Sequence, residues 1–158
     1  EMINLFVKRT YQKSIDQKFL SRVAEKIITL VELNEDVEVS IRIESDEVLH
    51  QLNHQYRGLD QPTDVLSFES GMIDPETGMT SLGDILISYP TAEKQALEAG
   101  HPVENEIILL ILHGILHLSG YDHSTQKEKD QMWQKQQSIL TSLGVKLNRI
   151  SGDEDFHD

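Results

Sequence analysis

The sequence predicts an α+β fold: a single domain with a mixed four-stranded sheet and about five helices. Two observations carry this. The chain has 158 residues, the size of one domain with one core. Its apolar residues repeat every second position in some stretches and every third or fourth in others, in the order β-α-β-α-β-β-α-α-α. That order has no regular βαβ repeat, so strands and helices are expected to segregate around one mixed sheet. No internal repeat marks a second domain. Residues 1–144 are read as the domain and residues 145–158 as an acidic tail, expected to be disordered.

Ile3–Thr10 reads as the first strand. Ser14 is positioned to cap the helix that follows, whose Ile15, Phe19, Val23, Ile27 and Val31 fall on one face. Val37–Ile43 alternates apolar and polar strictly, the mark of a half-buried strand. Ser45 caps a short helix to about Tyr56, with Val48, Leu49, Leu52 and Tyr56 inward. Arg57–Phe68 begins as a turn and ends as a strand, Asp64–Phe68. Glu69–Ser81 is rich in Gly, Pro and Asp and reads as an exposed loop. Leu82–Tyr89 is the fourth strand. A helix over Thr91–Ala99 ends at Gly100, and Pro102 opens the next, which runs to Leu118 and stops at Gly120. Thr125 and Glu128 form a capping-box pattern for a last helix with Met132, Trp133, Ile139, Leu140 and Leu143 as core, ended by Gly144.

Composition narrows the function. There is no cysteine, which excludes disulfides and thiolate–metal sites and fits a reducing, cytoplasmic location. The N-terminal stretch is too short and charged for a secretory signal. The longest apolar run, Ile107–Leu118, is too short to span a bilayer, so no membrane association is expected. The net charge is −13, which argues against a nucleic-acid partner, but its distribution is uneven. Residues 1–30 hold Lys8, Arg9, Lys13, Lys18, Arg22 and Lys26 against Glu1, Asp16 and Glu25, leaving −16 on the rest. Those cations form either a basic docking face or an ordinary solvated helix face.

Three of the seven histidines fall within His113–His123, in the stretch HGILHLSGYDH. His113 and His117 stand four apart, so a helix presents both imidazoles on one side. A straight helix would carry residue 123 away. Gly120 accepts the positive φ of a helix-ending turn and lets the chain return His123 to the same ion. Three imidazoles with an open fourth position match a catalytic zinc site, and suit nickel or copper as well. Zinc proteases carry a glutamate base directly after the first histidine, where this chain has Gly114. Peptide hydrolysis by that route is therefore disfavoured. RNA needs less help, because its own 2′-hydroxyl is a nucleophile beside the scissile phosphate. Asp84 and Asp122 are spare carboxylates; Asp122 is read as a turn or supporting residue rather than a base. A second pair, His50 and His54, lacks a third partner and a glycine exit.

With those residues in view, HGILHLSGYDH is similar to the H-G-x-L-H-L-x-G-Y-D-H signature of the YbeY family of bacterial endoribonucleases. Tyr56–Phe68 (YRGLDQPTDVLSF) and Leu82–Ser88 (LGDILIS) resemble two further blocks of that family, in the same order. The resemblance implies a single metal, usually zinc, on His113, His117 and His123, on a helix similar to that of zinc metalloproteases. It implies a metal-dependent hydrolase domain over residues 1–144, cleaving single-stranded RNA in 16S rRNA 3′-end maturation and ribosome quality control. Its partners would be ribosomal RNA, ribosomal proteins and a ribosome-assembly GTPase. Arg57 matches the family arginine held to be needed for activity, and its guanidinium suits a phosphate; its plainer alternative is a salt bridge with Asp60 or Asp64. Thr63, Asp64 and Ser67 either shape the same cleft or only fix a turn. Two other readings stay open: a metal-dependent hydrolase of peptide or amide bonds, and a non-enzymatic assembly factor with a structural metal.

Overall fold

A computed structural model describes residues 2–33, 35–121 and 124–147, to which the following statements refer. The strands are β1 (Ile3–Val7), β2 (Val37–Glu44), β3 (Val65–Glu69) and β4 (Thr80–Ser88). The helices are α1 (Gln17–Val31), α2 (Asp46–Arg57), α3 (Tyr89–Ala99), α4 (Val103–Leu118) and α5 (Gln126–Leu143), with a 3-10 helix at Arg9–Ser14. The strands form one sheet in the order β1-β2-β4-β3. β1 and β4 run parallel to β2, and β3 pairs antiparallel with β4. The sheet is mixed and four-stranded, as the sequence predicts.

Alternation along the strands divides the sheet into two faces. Val39, Ile41 and Ile43 of β2, Ile85 and Ile87 of β4 and Val65 of β3 share the buried inner face with residues of α1 and α4. α4 is apolar nearly all round and lies in the middle of the molecule, in contact with α1, α3, α5, β3 and β4. Leu66 and Leu86 alternate with those inner residues and form a smaller cluster with Leu49 of α2 on the outer face. α2 covers only the β3–β4 side. Toward β1, the outer-face residues Asn4, Phe6 and Arg42 are exposed.

Several boundaries differ from expectation for local reasons. β1 stops at Val7 because residues 9–14 make the 3-10 helix, whose Tyr11 stacks on Tyr89 with ring centroids 4.7 Å apart. Asp16, rather than Ser14, therefore caps α1, its side chain accepting from the Phe19 amide at 3.1 Å, and Ile15 lies before the helix. The Ser88 hydroxyl accepts from the Thr91 amide at 3.2 Å, so α3 begins at Tyr89. In α2 the inward residue is Asn53, 1% exposed, whose amide donates to the Gln61 carbonyl at 2.9 Å. Tyr56 is instead 62% exposed and meets Phe68 edge-on at 5.4 Å. Trp133 is also exposed, while Gln136 is buried on the inward side of α5. The capping box of Thr125 and Glu128 is present. Packing continues past Gly144: Val145 and Leu147 lie against the core, and the Asn105 amide donates to the Lys146 carbonyl. The expected disordered tail lies, from residue 148 on, outside the described residues. Among the described residues no helix is long and apolar enough to cross a membrane.

Candidate metal centre

The C-terminal half of α4 carries His113 and His117, one turn apart. His113 is 2% exposed and faces the core; His117 is half-buried. α4 ends as the sequence predicts. The Ser119 hydroxyl donates to the Ile115 carbonyl, Gly120 takes φ of 104°, and the Tyr121 amide turns back to the Leu116 carbonyl at 3.0 Å. The glycine therefore reverses the chain one residue before Asp122 and His123, both of which lie outside the described residues. Among the described residues no three His, Asp or Glu side chains are grouped to hold a metal. Two imidazoles on one helical face, with a third donor one turn-reversal away in sequence, fit a nitrogen-ligated transition metal.

Gly114 has a packing reason. A Cβ built there would lie 2.9 Å from Ile85 Cδ1 and 3.0 Å from Ile85 Cγ1 and Cγ2. α4 thus approaches β4 through a position with no side chain. A glutamate at 114 would run into the sheet, so the chain has no room for a base at this position. Gly83, on β4 nearer the end of α4, is likewise forced: φ is 147° and a Cβ would lie 2.2 Å from the Phe68 carbonyl oxygen.

The remaining candidates divide by sheet face. Ser67 pairs in register with Ile85 and so points to the face that carries α4. Its hydroxyl is buried with no hydrogen-bond partner among the described residues, as is that of Thr63. Asp64 is fully buried; its carboxylate accepts from the Val65 amide and the Gln95 side chain, fixing the start of β3. Asp84 is exposed and, being next to Ile85 on the strand, points to the opposite face from α4. It is therefore not available to the histidines as a spare carboxylate. Arg57 is exposed as the last residue of α2. α2 and α4 lie on opposite faces of the sheet and both pack on edge strand β3.

His50 and His54 sit on α2 apart from α4. His50 Nε2 lies 2.7 Å from Asp60, and the hydrogen bond together with the charge of His54 holds the Asp60 carboxyl below its ordinary range. The role of Gly114 was not readable from sequence, because it depends on Ile85, a contact between distant segments. The free hydroxyls of Thr63 and Ser67 were visible only as polar residues within an otherwise apolar strand entry.

The family model described as Endoribonuclease YbeY matches residues 6–144. The chain is 46% identical over 124 residues to Endoribonuclease YbeY of Shouchella clausii, covering 73% of this chain and 78% of that protein. It is 42% identical over 148 residues to Endoribonuclease YbeY of Persephonella marina, covering 93% and 96%. The fold matches the solution structure of TM1509 from Thermotoga maritima with a TM-score of 0.61 and 31% identity, over 90% of this chain and 92% of that one. A family model spanning both strand blocks and the whole of the histidine helix shows that the chain belongs to the endoribonuclease YbeY family.

Proposed function

We propose that this protein is a metal-dependent endoribonuclease that cleaves single-stranded RNA in 16S rRNA 3′-end maturation and ribosome quality control. The observation that carries the reading is the pairing of His113 and His117 on one face of α4 with a neighbouring position, Gly114, that the sheet fills. The site has metal donors and no room beside them for a protease base. That argues against peptide or amide hydrolysis and favours a substrate that brings its own nucleophile.

His113, His117 and His123 would hold one zinc ion, with nickel or copper as alternatives of the same donor preference. When bound, the ion supplies charge stabilisation at a phosphoryl oxygen. Arg57 extends from the end of α2 and would clamp the scissile phosphate with two parallel N–H donors. Thr63, Asp64 and Ser67 would shape the same cleft. The 2′-oxygen of the substrate attacks the adjacent phosphorus, and the 5′-oxygen leaves with a proton. Residues 1–144 would carry this hydrolase activity, with Val145 and Leu147 packed onto the same core. Ribosomal RNA is the substrate, with ribosomal proteins and a ribosome-assembly GTPase as cytoplasmic partners.

A single-stranded RNA and the same strand with 2′-deoxy sugars test the reading. Wild type cleaves only the RNA, leaving a cyclic phosphate end. Arg57→Ala lowers cleavage by roughly 10²–10³-fold while keeping its metal. Cleavage of the deoxy strand at the same rate would contradict the substrate-nucleophile route.

A further inference from the structure

One open cavity lies away from the histidine helix. It is an open groove of about 660 Å³ along edge strand β1, between the uncovered part of the outer sheet face and the N-terminal half of α1. Its wall carries Lys18 and Arg22, one turn apart on α1 and both exposed. Neither makes an ion pair among the described residues, although Lys8 and Arg42 nearby both pair with Glu44. Phe6, 45% exposed, and Arg42 form a flat plate, the guanidinium carbon 4.2 Å from the ring centroid. Asn4, Ser40 and Asp84 stand side by side in register across β1, β2 and β4. Glu25 also lines the groove, so its charged residues sum to +1 in a chain of −13.

We infer that this groove is a second RNA subsite, which holds an unpaired nucleotide of the substrate away from the scissile bond; the inference rests on the RNA-cleaving reading above. An exposed aromatic ring with an arginine plane beside it is a stacking surface for a base. Lys18 and Arg22 are spaced to meet the phosphates on either side. Asn4, Ser40 and Asp84 supply donors and acceptors for the base edge. On the same outer face Asp84 pairs in register with Phe68, and Phe68 meets Tyr56, the residue before Arg57. Phe6 on β1 and Phe68 on β3 stand three strand intervals apart on that face, about 15 Å. This resolves the conflict between strong acidity and an RNA substrate: the strand is held where the local charge has the right sign.

The test is binding of a fluorescein-labelled oligoadenylate, read by anisotropy with chelator present so that cleavage plays no part. The groove pair Lys18→Glu/Arg22→Glu should weaken binding at least tenfold and flatten its salt dependence. Phe6→Ala should weaken it by roughly tenfold at all salt concentrations, and Phe6→Tyr should restore it. A charge-matched pair on other helices, Lys94→Glu/Lys135→Glu, should have a markedly smaller effect. Thermal melts of each variant establish that it is folded. Equal weakening by both charge pairs overturns the inference in favour of bulk charge. Unchanged RNA affinity in the folded groove variants overturns it too, and leaves the open edge of β1 to a protein strand. Either result leaves the cleavage reading standing, because that is read separately with metal restored and His117→Ala as its control.

Discussion

At the scale of single residues, the catalytic assignments depend on which side chains are already committed to structure. Asp64 is committed: it is buried, and its carboxylate fixes the start of β3. Asp60 is held by His50, and this has a measurable consequence. Its carboxyl sits below the ordinary value of 3.8 because of that hydrogen bond and the neighbouring His54. A lowered folded-state value means that the contribution is present above the ordinary carboxylate range and is lost as pH falls through the lowered value. NMR titration of the Asp60 carboxyl in His50→Ala should move its midpoint upward toward the ordinary value. An unmoved midpoint would remove His50 as the cause. The exposed setting of the pair makes this a local effect with little bearing on overall stability.

At the scale of elements, the central relation is α4 against β4. An exposed helical glycine replaced by alanine would stabilise the chain by about 1 kcal/mol. Gly114→Ala should instead destabilise it by roughly 1–3 kcal/mol, because the new methyl meets Ile85 at 2.9 Å. In an Ile85→Ala background the same substitution should become neutral or favourable, so thermal or urea denaturation of the four proteins gives a coupling of the sign expected for direct contact. Additive effects would mean that Gly114 is kept for another reason.

This contact also marks where the sequence stops being legible. The period-two run of β2, the Ser45 cap, the Thr125–Glu128 capping box and the Gly120 exit are local signals, and each appears as expected. The errors arise where a distant segment decides. Tyr11 stacking on Tyr89 turns the end of an expected strand into a 3-10 helix and moves the α1 cap from Ser14 to Asp16. Phe68 draws Tyr56 out of the expected inward row and along the outer face. Trp133 follows helical spacing but faces outward, because Met132, Gln136 and Ile139 occupy the buried stripe of α5. For the site, the imidazole pair was legible from spacing alone, whereas the opposite facing of Asp84 and Ile85 required the register of β4.

At the scale of the whole molecule, the sheet has one covered face and one half-covered face. On the covered side α4 buries His113 and leaves His117 half-buried beside an apolar core, where an ion held by the pair would be less screened than in water. The outer face, only partly covered by α2, exposes Phe6 and Arg42 toward β1 and Tyr56 toward β3. The central question is whether the histidine helix does the cutting. The most direct measurement is cleavage of one single-stranded RNA by wild type and His117→Ala taken through the same purification, with metal content determined on both samples. Wild type should carry one zinc per chain and cleave, and His117→Ala should lose both. Equal cleavage by the two proteins would rule out the histidine helix as the cutting site.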